Sequence, residues 1–144
     1  MYKIKVKAKK RWHKARRKAV QQALAWGIKE LELEVSPIPI VVKLCGDPQP
    51  EFRWGDSIDC DHKIMIRLFD TDLWIPTLFH ELEHARQFIY GELELETDFA
   101  IWKGKNYKRS GDAYYEEPWE VQAREIEDQM EIKFLTFVAP TLIM

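Results

Sequence analysis

Hydrophobic and polar positions change period several times along the chain, and each change marks an element. Residues 2–8 alternate Tyr, Lys, Ile, Lys, Val, Lys, Ala, which predicts a short strand with a basic outer face. From Lys9 to Leu33 the apolar positions Trp12, Ala15, Ala19, Ala23, Trp26 and Leu31 recur every three to five residues. That is the spacing of a long amphipathic helix, bent or broken at Gly27. Ser36-Pro37 and Pro39 stop it. Ile38–Leu44 is rich in β-branched residues and reads as a strand, and Gly46-Asp47-Pro48-Gln49-Pro50 as a turn. Glu51–Ser57 is a weaker strand, and Asp59-Cys60-Asp61 another turn. In His62–Phe69, Ile64, Ile66 and Leu68 alternate with Lys63, Met65 and Arg67. Three short strands in series predict an antiparallel meander.

A helical period follows over Leu73–Tyr90, with Leu78, Leu82, Ala85 and Ile89 as its apolar stripe. Asp70-Thr71-Asp72 offers capping side chains, Pro76 is tolerable in the first turn, and Gly91 is placed to end the helix. Glu92–Ser110 mixes Glu, Lys, Gly and aromatics and reads as a long loop, a length more often functional than idle. Glu116-Glu117-Pro118 opens a last helix with Pro near the first position and acids at the positive end of the dipole. Trp119, Ala123, Ile126 and Met130 form its stripe, and the apolar tail Phe134–Met144 is interrupted by Pro140. The expectation is one α+β domain over residues 1–144: a long helix, a small and mostly antiparallel sheet, then two helices.

Composition adds limits. A chain of 144 residues suits one domain, and 12% aromatics with six Trp supply a core. A formal net charge of -2 names no partner. Its distribution says more: Lys3–Lys18 holds ten Lys or Arg and no acid, whereas acids dominate Glu81–Asp98 and Asp112–Glu131. The basic segment 1–18 could contact nucleic acid, or it could be a solvated face offsetting the acidic half. Two cysteines, Cys45 and Cys60, are too few and too far apart for a metal knuckle. The first residues lack the apolar core of a signal peptide, and no run reaches the roughly 20 apolar residues of a membrane span. The expected setting is intracellular and soluble, in the cytoplasm, with no membrane partner.

The sharpest chemistry is His80-Glu81-Leu82-Glu83-His84. Two histidines four apart lie on one face of a helix, where a metal ion could bridge them. Glu81, directly after the first, stands beside that face, where it could deprotonate a water. Chance would produce H-E-x-x-H in a chain of this composition about 0.01 times; the plain alternative is a surface helix with two solvated histidines. A catalytic zinc usually takes three protein ligands, so one more is needed. His13 and His62 have no helical partner. Glu120, in the first turn of the last helix, is the best candidate, with Glu116, Glu117 and Asp112 competing. Ala123, three residues on, would let the two helices approach closely. A lone Glu there would otherwise serve the helix dipole.

These residues carry a family resemblance. The run His80–Arg124, about a third of the chain, resembles the gluzincin branch of zinc metallopeptidases, most of all small single-domain members that include phage metallopeptidases. It holds H-E-x-x-H-x-x-Q ending at Gln87, then Trp102-Lys103-Gly104 and Tyr107, then Tyr114-Tyr115 and Pro118-Trp119-Glu120-x-x-Ala123. The resemblance implies a minimal zincin-like fold, zinc as cofactor, Glu120 as third ligand and hydrolysis of a peptide or protein substrate. In such a reaction Glu81 would be the general base. A second donor to the oxyanion is expected from Tyr114 or Tyr115, ahead of Tyr107 and Arg124. The strand His62–Phe69 would be the substrate edge, and Glu83, Asp112 and Glu117 are the candidates to orient the histidines. The other reading is a zinc-stabilised, non-proteolytic module that binds nucleic acid or a protein through its basic segment.

Overall fold

The computed structural model describes residues 2–47, 55–60 (backbone alone), 63–109 and 116–141. The elements are β1 (Tyr2–Val6), α1 (Lys14–Glu30), β2 (Ile40–Leu44), β3 (Gly55–Cys60), β4 (Lys63–Leu68), α2 (Trp74–Ile89), β5 (Leu93–Leu95), β6 (Phe99–Trp102), β7 (Lys105–Lys108) and α3 (Pro118–Lys133). A π-helical turn over Phe134–Val138 and a 3-10 turn over Ala139–Thr141 extend α3. Among the described residues the architecture is α+β, with three α-helices and two small sheets.

The first sheet has the order β1-β2-β4-β3. β1 runs parallel to β2 and β2 parallel to β4; only β3 is antiparallel, pairing with β4. The expected meander of β2, β3 and β4 is therefore not formed. The chain leaves β2, runs along the outside as β3, and returns inward as β4. β2 carries the mark of a central strand: Ile40, Val41 and Val42 are all buried, as expected for a strand flanked on both edges. β4 keeps its predicted alternation, with Ile64, Ile66 and Leu68 fully buried.

Those residues meet the helices in one core with Val20, Leu24, Leu78, Phe79 and Leu82. α1 buries Val20, Ala23, Leu24, Gly27 and Ile28, so Ala15 stays outside despite its spacing. The helix passes through Gly27 unbroken, because Gly27 serves contact rather than bending. A Cβ there would stand 2.7 Å from Leu82 Cδ1 of α2. Before α1, Trp12 is wholly buried and its indole N–H donates to the Cys45 carbonyl at 2.6 Å.

Asp70 does not cap α2. Its carboxylate receives Arg16 and Arg11, and the Leu73 N–H donates instead to Thr71 Oγ1 at 3.1 Å. At the other end Gly91 has φ +72. The Gly91 N–H donates to the Phe88 carbonyl and the Glu92 N–H to the Gln87 carbonyl, a Schellman closure that turns the chain sharply into β5.

The stretch Glu92–Ser110 is not a loop over its described part. It forms the antiparallel sheet β5-β6-β7. Lys103 and Gly104, both at positive φ, make the two-residue turn between β6 and β7. Leu93, Ala100, Trp102 and Trp119 form a second small core beneath it. Trp119 opens α3, so this sheet helps fix where that helix begins. None of the described helices is long and apolar enough to cross a membrane.

Candidate metal centre

α2 and α3 pack together and bring three donor side chains to one place. His80, His84 and Glu120 each offer a ligand atom, and these atoms lie within 4.8 Å of one another. The two imidazoles stand one turn apart on α2, with ring centroids 4.9 Å apart and planes at 79°. Glu120 enters from the first turn of α3. Its Oε2 lies 3.1 Å from His80 Nε2 and its Oε1 2.7 Å from His84 Nε2. A carboxylate shared by two imidazole nitrogens, almost wholly shielded from solvent, has the donor chemistry a divalent transition metal takes from protein. The group could hold such an ion.

The Nδ1 atoms are also engaged, by unlike partners. His80 Nδ1 is 2.9 Å from Glu127 Oε1. His84 Nδ1 is 2.8 Å from Gln87 Oε1, and the Gln87 amide group donates to the Trp119 carbonyl at 3.1 Å. Gln87 is completely buried and ties His84 to the backbone residue just before Glu120.

Charge follows from these contacts. Burial alone would lower the His80 pKa; the bonds to Glu120 and Glu127 and the Glu81 charge outweigh it and hold it at about 10. Both its ring nitrogens face carboxylate oxygens, so both carry a proton and donate. Burial likewise opposes charge on His84, and Glu120 and Glu81 raise it. Burial would raise Glu120, but its bonds to both histidines hold it far below the ordinary carboxylate range. A bound metal would replace this internal compensation of charge by coordination.

The other expected residues fall as follows. Glu81 is buried beside His80 on α2. Tyr114, Tyr115, Asp112 and His62 lie outside the described residues. Tyr107 packs edge-on against Trp119, centroids 5.9 Å apart. Glu117 is the N-cap residue of α3; burial raises its pKa, with Glu120 adding to the rise. Glu116 is exposed. His13 caps α1, accepting from the Arg16 N–H at 3.3 Å.

Glu83 touches neither histidine. It is fully buried, gripped by Arg86 Nε at 2.7 Å and Gln122 Nε2 at 2.6 Å, and reaches His84 only through Gln87. Arg86 also clasps Glu92, so the network ties α2, α3 and the entry to β5 together. Glu127 is the partner that sequence reasoning missed. Its one signal was position, two turns after Glu120 on the same helix face.

Comparison with protein-family models, curated proteins and solved structures found nothing that matches this chain. The functional reading therefore rests on its own residues.

Proposed function

We propose that the chain is a zinc-dependent peptidase of the gluzincin kind. The observation that carries the reading is the convergence of His80, His84 and Glu120 from two helices, with ligand atoms within 4.8 Å. It is joined by the H-E-x-x-H order, which sets a carboxylate next to the first histidine.

His80, His84 and Glu120 would hold the ion. When bound, zinc supplies Lewis-acid polarisation of a carbonyl and an acidified water. Glu81 would take the proton of the attacking water and return it to the leaving nitrogen. Glu81 is buried beside His80, on the helix turn that carries the first histidine. Tyr114 or Tyr115, just before α3, would donate to the developing oxyanion.

The expected substrate edge needs correction. The strand over residues 62–69 forms β4, which is interior, paired with β2 on one side and β3 on the other. β3 is the outer strand next to it in the sheet order. An extended peptide would therefore add to β3 through backbone hydrogen bonds.

The test compares wild type with Glu81→Gln for zinc content by elemental analysis and for cleavage of an unfolded protein. The expected result is about one zinc in each, with cleavage by wild type alone. Zinc in both and cleavage by neither across a broad peptide library would overturn the peptidase reading.

A further inference from the structure

The β1-β2-β4-β3 sheet has two unlike faces. One packs on the helices through alternate apolar residues such as Val42 and Ile66. The other carries the intervening positions of β1, β2 and β4: Lys3, Lys5, Lys43, Lys63 and Arg67, with Val41 and Met65 among them. Five of these seven positions are cationic and none is acidic.

Register concentrates the charge. Lys5, Lys43 and Arg67 are direct neighbours across three consecutive strands. Adjacent strands lie about 4.8 Å apart, and like charges directly opposite each other destabilise a sheet. Lys7, just past β1, adds to the row. Its contact with Lys43, and then its charge, hold the Lys43 ammonium below its ordinary pKa, with burial and Lys5 contributing.

Some cations elsewhere have a carboxylate partner: Arg11 with Asp47, Arg16 with Asp70, Lys133 with Glu30. Acids are not scarce, at 24 against 22 Lys and Arg. In the backbone register of the outer strand, Asp56 lies opposite Arg67. Like charge crowded at Lys5, Lys7 and Lys43 favours an anionic ligand over this face.

We infer that this sheet face is a docking surface for a nucleic-acid duplex, held by its phosphate backbone. A duplex offers phosphates in rows, which a rigid cationic sheet matches without reading bases. Single-strand binders stack bases on aromatic side chains, and the seven outward positions of β1, β2 and β4 include no aromatic. Membrane-seated surfaces present a broad apolar body to the acyl boundary; here Val41 is buried and Met65 half-buried between cations. The surface is distinct from the His80, His84 and Glu120 group and does not depend on the peptidase reading.

The experiment is fluorescence anisotropy of the intact protein with a labelled duplex of roughly 25 base pairs, between 50 and 200 mM KCl. Expected is binding in about the 10⁻⁴–10⁻⁶ M range that weakens with salt with a logarithmic slope of about -3 to -5. Lys5→Gln with Lys43→Gln should weaken binding and reduce the slope by about 2. The melting temperature should hold or rise, because repulsion is relieved. Lys3→Gln with Lys63→Gln tests the same face with a second pair should the first fail to fold. The inference is overturned by absence of salt-dependent binding, or by undiminished binding in a folded variant. Equal loss from the hairpin pair Lys103→Gln with Lys105→Gln would also overturn it. So would preference for phosphatidylserine vesicles over the duplex.

Discussion

Glu127 Oε1 lies 2.9 Å from His80 Nδ1, two turns along α3 from Glu120, which meets Nε2 of the same imidazole. One helix thus brackets both nitrogens of a ring carried by another. The ring plane is fixed, and the nitrogen facing Glu120 is the one presented to a metal. Removal of such an outer partner typically lowers metal affinity 10–100-fold. Glu127→Ala should lose affinity for zinc on about that scale with its circular dichroism unchanged, and Glu127→Gln should lose less. Competition against a chromophoric chelator measures both. Equal affinity in wild type and Glu127→Ala would mean that α2 alone orients His80.

Zinc should stabilise the fold by mass action. At a free concentration of about 100 times Kd the gain is about 2.7 kcal/mol. For a domain of this size that corresponds to a rise of about 5–10 °C in melting temperature. Glu120→Ala removes the carboxylate that joins the two helices at the site and should melt at the same temperature with or without zinc. A shift equal to wild type in that variant would show that Glu120 is not a ligand.

The Glu83 carboxylate is fully buried, and both its oxygens are held by Arg86. Arg86→Ala strands it and should cost about 3–5 kcal/mol in urea unfolding. Glu83→Gln in the same background removes the stranded charge and should recover part of that loss. If the double variant is less stable than Arg86→Ala alone, the cost arises from lost packing of the arginine stem.

Acid stability should depend on Asp70. Its contact with Arg16 lowers its pKa most, burial opposes this, and Arg11 lowers it further. The folded value therefore lies below the unfolded one, near 3.8. Between the two values the unfolded chain binds more protons, so stability rises with pH there. The contribution is fully present above the unfolded value and is lost as pH falls through the folded one. Asp70→Asn should be less stable than wild type at pH 6, and the gap should narrow below pH 4 in denaturant titrations. A gap of constant size would assign the effect to packing.

The histidine pair was legible because it is local: four residues on a helix set the geometry without help from the fold. Glu120 was legible because Pro118 marks a helix start and Trp119 marks its buried side. Glu127 was not, since an exposed-looking acid in an acidic helix carries no mark until the partner helix is known. Gln87 had three-residue spacing from His84 but nothing to show its link to Trp119. Strand order was hidden because the alternation in β4 is the same whether it pairs with β2 in parallel or through a hairpin. The unbroken apolar run of Ile40, Val41 and Val42 was the overlooked pointer to a central parallel strand. In Glu92–Ser110 the charges masked three short strands, though Gly104 between Trp102 and Tyr107 marked a turn.

His80 and Glu120 stand 40 residues apart in sequence, and β5, β6 and β7 occupy much of the interval. The entropy of closing such an excursion grows only with the logarithm of its length, about 0.6 kcal/mol for each doubling. Residues inserted at the Lys103-Gly104 turn would hardly disturb the distance between the two helices. One residue inserted between His80 and His84, or between Glu120 and Glu127, would swing a side chain by about 100° around its axis. The excursion can vary in length while the spacing on each helix cannot, so length variation in related chains should concentrate at this turn.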